Sequence, residues 1–228
     1  MVREILVVQV LLNDDLFNSM NTENNMFDKV VVEYDQWYEN HKNAYHSELL
    51  AIQQFIPSGK DGLEVGVGTG RFASELGIQK GIEPAPNMAA MAGERGIEVE
   101  IGVAENLPYS DHQFDFVLMV AVDCFVDDIE KTYSEAYRVL KSNGQIIIGL
   151  LDKNQAVAKK YETKKAPDNV YWFARFHNTK ETVTSLEKAG FGDFEFYQTL
   201  TVPDPLVVEK PISGYGKGSF VVIKAVKK

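Results

Sequence analysis

Cysteine is nearly missing from this chain: its 228 residues hold one, Cys124. An intrachain disulfide framework is therefore impossible, and a zinc site built on several cysteines is excluded. Histidine is almost as scarce. Of His41, His46, His112 and His177, only the first two lie close together, and their spacing fits one helical face poorly. No metal site is expected. Positive charge is also short. Asp and Glu total 33 against 23 Lys and Arg, a formal net charge of −10. Such a surface repels phosphate backbones and argues against nucleic acid as a partner. The densest basic run, Lys159, Lys160, Lys164 and Lys165, is interrupted by Glu162 and reads as a solvated helix face. No apolar run reaches the ~20 residues of a membrane span. The first twelve residues, "MVREILVVQVLL", begin like a short secretion signal, but Asn13-Asp14-Asp15 follows with no small-residue cleavage site. A surface strand, a packing arm or a disordered start is expected there, in a cytoplasmic protein.

What is present suits one domain. The chain is 45% hydrophobic, enough for a full core at this length. Residues 1–25 read as a detached extension ending in the polar "NDDLFNSMNTENN", and Met26 is a candidate natural start. From there to residue 228 a single patterned domain is expected. Val30, Val31, Tyr34, Trp37 and Tyr38 form one helical stripe, and Leu49, Leu50, Ile52, Phe55 and Ile56 mark a second helix, stopped by Pro57-Ser58-Gly59. Strands then alternate with helices: Gly62–Val67, Gly81–Glu83, Val99–Val103, the continuous apolar "FDFVLMVAV", and the run after Lys141-Ser142-Asn143-Gly144. That alternation implies a parallel sheet covered on both faces. The end differs. A helix over Thr179–Ala189, capped by Asn178 or Thr179, is followed by two strands, Phe194–Val202 and Ser219–Val226. Only a Pro/Gly-rich loop joins them, so they should pair antiparallel.

The stretch "GLEVGVGTGRFA" carries the functional signal. Gly66, Gly68 and Gly70 follow an apolar strand directly. A ligand at the carboxyl ends of parallel strands must approach the main chain closely, and glycine permits both that approach and a tight turn. The amides opening the next helix then point at the ligand. A dinucleotide would use the same physics, but its G-x-G-x-x-G spacing fails here, because Arg71 stands where the third glycine belongs. This disfavours a nicotinamide dehydrogenase. Glu83 ends the second strand, where a carboxylate can accept hydrogen bonds from both hydroxyls of a ribose.

Together these segments resemble the class I S-adenosylmethionine (SAM) dependent methyltransferases, and within them the small-molecule, methyltransferase type 11 branch that includes quinone-biosynthesis enzymes. "LEVGVGTGRF", "GIEPAPNM", "GVAENLPYSDHQFDFVLM" and "AYRVLKSNGQIII" occur in the family's order, from about Met26 to Gly149. The resemblance implies an α/β, Rossmann-like doubly wound fold with a seven-stranded sheet, mostly parallel, with one antiparallel strand near the C-terminus. It implies SAM as cofactor and methyl transfer by in-line displacement to a small molecule, leaving S-adenosylhomocysteine (SAH). A non-catalytic SAM-binding sensor or subunit is the alternative.

The resemblance also assigns residues. Gly66, Gly68 and Gly70 form the cofactor loop. Glu64 either holds the methionine amino group or only orders that loop. Glu83, beside Pro84, is the ribose acid, and Met88 packs on adenine or in the core. Relatives often carry Asp at the position of Val103 to bind the adenine amine; here Glu105, or backbone near Ala104, would take that part. Val120 and Ala121 would lie beside the methionine moiety through backbone contacts. Residues 26–57 are expected to form lid helices, with Tyr34 over the cofactor or packed on the sheet. Residues 150–178 are expected as a substrate-side insertion, whose Tyr171, Trp172, Phe173 and Phe176 suit an apolar or aromatic acceptor or a plain packing cluster. Asp123, His41 and His177 are candidate bases, should the acceptor need to lose a proton. Cys124, beside an apolar strand, reads as buried and inert. "AVDCF" after the fourth strand replaces the Asn-Pro-Pro-Tyr type of segment, which disfavours nucleic-acid or protein methylation.

Overall fold

The computed structural model describes residues 23–228. The expected N-terminal extension therefore lies almost wholly outside the described residues. Helix α1 (Glu23–Lys29) begins three residues ahead of Met26. It leads into α2 (Val31–Asn40) and α3 (Lys42–Gln53). The alternating part follows: β1 (Gly62–Val65), α4 (Arg71–Leu76), β2 (Lys80–Glu83), α5 (Pro86–Glu94), β3 (Glu98–Ile101), β4 (Phe114–Val120), α6 (Ile129–Val139) and β5 (Leu140–Leu151). After β5 come α7 (Ala156–Glu162), a 3₁₀ turn (Val170–Trp172), α8 (Thr179–Lys188), β6 (Phe191–Thr199), β7 (Ile212–Ser213) and β8 (Phe220–Lys227). Among the described residues no helix is long and apolar enough to cross a membrane.

All strands of the described residues join one sheet in the order β3-β2-β1-β4-β5-β8-β6-β7. The first five are parallel, and β8 runs antiparallel to both β5 and β6 between them. The sheet has eight strands, one more than the expected seven. The addition is the two-residue edge strand β7, formed inside the Pro/Gly-rich loop and paired with Tyr197 and Gln198. Strand β6 starts at Phe191, directly after the Gly190 stop, rather than at Phe194. The turn expected at Lys141–Gly144 is a bulge within β5: pairing jumps from Phe114↔Leu140 to Phe116↔Gln145, with Asn143 at φ 60°.

Strand alternation sorts the core into two layers. Val117 and Met119 of β4, Ile146, Ile148 and Leu150 of β5, and Val221, Ile223 and Ala225 of β8 face α6 and α8. Phe116, Leu118, Ile147, Phe220 and Val222 face α2–α4 on the other side. Helix α8 carries a full capping box: Asn178 Oδ1 accepts from the Glu181 amide at 3.0 Å, and Glu181 Oε2 accepts from the Asn178 amide at 3.0 Å. Asp152, just past β5, accepts from the Thr179 amide and hydroxyl, pinning the end of the insertion back onto the sheet.

Candidate active site

From β1 the chain winds to β2 and β3 on one side; β4 and β5 lie on the other. The crevice at the carboxyl ends of β1 and β4 is thus the switch point at which such sheets bind ligands. The glycine loop sits there. Gly66, Gly68 and Gly70 take φ of 68°, 55° and 82°, the left-handed region that other residues avoid. A Cβ on Gly66 would also come within 2.4 Å of Val122. The loop is tied to β2: the amides of Gly66 and Val67 both donate to the Ile82 carbonyl, at 2.9 and 3.1 Å.

Glu83 completes that tie. Its Oε2 accepts from the Gly68 amide at 2.9 Å, and its Oε1 from the Ala85 amide at 3.1 Å. Burial pushes its pKa up to about 7, although both amides favour the carboxylate. Glu64, on β1, is 2% exposed, and its Oε2 has no partner among the described residues. Burial drives its pKa far above the carboxylate range; the charge of Glu83 adds to this, and the Ala73 amide partly opposes it. Glu64 borders a narrow cavity of about 10 Å³ lined also by Tyr34, Tyr38, Gly66, Thr69 and Val120.

Helix α2 closes this cavity. Tyr34 and Tyr38 share a 2.9 Å hydroxyl hydrogen bond, and a Cβ on Gly68 would meet the Tyr34 hydroxyl at 3.4 Å. The next residue after Tyr34, Asp35, anchors the helix. Arg71 reaches it through Nε at 2.9 Å and Nη2 at 2.5 Å, Arg95 Nη2 bonds both its oxygens at 2.9 Å, and the Thr69 hydroxyl donates at 2.7 Å. Burial works to raise the Asp35 pKa, but these donors outweigh it and hold the group at about 2. Neither Asp35 nor its partners were sequence candidates. The pairing residues lie far apart in the chain, so only the fold brings them together.

The other candidates divide. Met88 is buried at 1% exposure against Val31 and Ala85, with Phe27 and Tyr34 packed on the same cluster. Pro84, between Glu83 and α5, is half-buried. Ala104 is buried, whereas Glu105 Oε1 accepts from the Asp127 amide at 2.8 Å and so braces the segment ahead of α6. Val120 lines the cavity and Ala121 follows it with φ 53°, a left-handed turn at a non-glycine residue. Asp123 and Cys124 are both buried. Burial raises the Asp123 pKa to about 7 against the Cys124 amide and its own, and its Oδ2 has no partner among the described residues. His177 is half-buried, and burial lowers its pKa. His41 sits at the α2–α3 junction, stacked on Trp37 at 4.6 Å with Nδ1 3.0 Å from the Trp37 carbonyl oxygen. It therefore stands apart from the strand-end cluster.

The insertion folds back over the same end of the sheet. The Arg175 amide donates to the Cys124 carbonyl at 2.7 Å, and Tyr171 stacks on Tyr161 at 4.4 Å. Phe27 of α1 packs edge-on against Phe125 at 5.1 Å. Among the described residues, no group of three His, Cys, Asp or Glu side chains converges as a metal site.

A family model described as a methyltransferase domain matches residues 63–148, from β1 into β5. An uncharacterised protein of Methanocaldococcus jannaschii is 41% identical, over 89% of this chain and 99% of the relative. The crystal structure of a SAM-dependent methyltransferase from Thermotoga maritima, a possible histamine N-methyltransferase, superposes with a TM-score of 0.86. That protein is 44% identical, over 90% of this chain and all of its own. A demethylmenaquinone methyltransferase of Bacillus licheniformis is 29% identical over 54% of this chain and 59% of its own. The chain belongs to the class I SAM-dependent methyltransferases.

Proposed function

We propose that this enzyme passes the methyl group of SAM to a small-molecule acceptor by in-line displacement, leaving SAH, and that it works in the cytoplasm. The observation that carries the site assignment is the pair of buried carboxylates at the switch point. Glu83 is fixed at the end of β2 by two amides, and Glu64 keeps one oxygen without a partner among the described residues. These residues fit the cofactor. An ammonium such as the methionine amino group would give Glu64 the opposite charge it lacks. Glu83 retains lone pairs for the ribose hydroxyls. Gly66, Gly68 and Gly70 keep the backbone bare where the cofactor would lie. Pro84, Met88, Ala104 and Glu105 would border the adenine, and Val120 the methionine chain. Tyr34 and the helices of residues 26–57 would form the lid, and residues 150–178 the acceptor side.

SAM, when bound, supplies an already activated methyl group, so the protein's task is to bind, orient and exclude water. The lid tyrosines and the Asp35 anchor serve the last two. Asp123, buried just past β4, and the half-buried His177 are the candidate groups to hold a proton from an acceptor that must lose one. The named relatives differ in acceptor, so their names do not choose one for this chain. The test is SAH production from SAM with the protein and a panel of small amines, phenols and quinols. Acceptor-dependent SAH formation is the expected outcome. SAH binding without turnover on any acceptor would contradict it and favour a sensor.

A further inference from the structure

The loop between β6 and β8 turns its polar groups inward. The Glu209 carboxylate accepts from the Thr201 amide and hydroxyl, each at 2.9 Å, and from the Val202 amide at 3.2 Å. The Glu209 amide donates to Ser47 Oγ at 2.8 Å, and Asn43 Nδ2 donates to the Pro205 carbonyl at 3.1 Å. The loop is thus closed on itself and fastened to α3. What it turns outward is apolar. Leu206 is 95% exposed, Val207 71% and Val202 55%; Val208, Ile212 and Tyr215 are exposed as well. Val202, Leu206, Val207 and Ile212 line one shared cleft of about 510 Å³. Ile212 belongs to β7, the last strand of the sheet, whose outer edge pairs with no strand of the described residues.

Scattered apolar side chains on a surface are ordinary, but a cluster is not. These six expose on the order of 600 Å², close to the ~800 Å² that each partner gives to a stable interface. Two charged residues indicate the partner. Asp204 and Lys210, both exposed, border the same cleft and bracket Leu206 and Val207 in sequence. No ion pair among the described residues uses either. A twofold axis sets residue i of one copy against residue j of the other, and j against i. Here it brings Asp204 onto Lys210 twice, with the leucine and valines between. A surface with one charge of each sign beside an apolar centre is its own complement. A bilayer would leave both charges unmatched, and the net charge of −10 opposes anionic lipid. Because the loop is already fastened, little ordering is lost on association.

We propose that the loop 201–212 and the edge strand β7 form a twofold interface through which two copies of this chain associate. Sedimentation equilibrium of the full chain over a dilution series tests it. At about 10 µM, well above the dissociation constant of a specific interface, the mass should be twice the 25.6 kDa of one chain. Leu206→Asp with Val207→Asp should weaken association at least about a hundredfold. Its near-ultraviolet circular dichroism should match the wild type, since both side chains face solvent. Asp204→Lys and Lys210→Asp each set like charges opposite one another and should each weaken it about tenfold or more. An equimolar mixture of those two variants restores both pairs and should associate as the wild type does, which a purely structural role for either residue would not produce. A monomeric wild type would overturn the proposal. If that monomer floated with phosphatidylcholine vesicles, the face would belong to lipid. If Val7→Asp with Val8→Asp made it dimeric, the chain's own start would be what covers the face. A dimer indifferent to the Leu206 and Val207 substitutions, or a mixture no tighter than its components, would overturn the proposal too.

Discussion

At the end of β1, Glu64 holds a carboxyl whose Oε2 meets no donor among the described residues and whose pKa burial drives far above its ordinary range. Without a charged partner, burial favours its neutral form. A ligand ammonium placed against it should ionise it, and the proton must leave. SAH binding near pH 7 should accordingly release protons, read as a binding enthalpy that differs between phosphate and Tris buffers in proportion to their ionisation enthalpies. Glu64→Gln should release fewer. A wild-type enthalpy independent of buffer would show that Glu64 only orders the loop. Residues of this kind were legible in the sequence because they flank a glycine pattern with few physical uses. Glu48 was not. In "HSELLAIQ" a glutamate reads as the solvent face of a helix, and only the packing of α3 against the sheet buries it. The left-handed Ala121 was equally silent, since alanine carries no signal for that conformation.

Helix α2 is attached to the body by one residue more than by any other polar contact it makes. Asp35 gathers hydrogen bonds from Arg71, Arg95 and Thr69, which come from α4, the end of α5 and the glycine loop. Removing its charge leaves two half-buried guanidinium groups short of a partner. Asp35→Asn should cost about 2 kcal/mol, measured as a lower midpoint in urea at pH 7. The sign of its pH dependence follows from the depressed pKa. The Asp35 contribution is fully present above its unfolded value near 3.9 and is lost as pH falls through about 2. The gap between wild type and Asp35→Asn should hold constant above about pH 5 and narrow steadily below it. A gap that persists to pH 2 would show that the charge is not what anchors the helix. The order of strands and helices was readable from periodicity, and the antiparallel pairing of β6 with β8 from the missing helical crossover between them. Strand β7 was not, because two residues inside a Pro/Gly-rich loop carry no alternation. The Asp35 cluster was hidden for a different reason: Asp35 stands 34 to 60 residues before the donors it meets.

The described residues form one sheet with helices on both faces and β8 inserted between β5 and β6. This buries two apolar layers and leaves the strand ends as the place where irregular backbone gathers. The chain's net charge of −10 sets it against polyanionic partners as a whole. The central claim is that the cofactor binds at this end and that Glu83 holds its ribose. Calorimetric titration with SAH on the wild type and on Glu83→Ala tests it most directly. Two hydrogen bonds to a charged group, each about 1.5–3 kcal/mol, imply a loss of about a hundredfold or more in affinity. The expected result is saturable one-to-one binding in the wild type that falls by at least that factor in a folded variant. Equal affinity in the two proteins, or no binding to the folded wild type, would contradict the account.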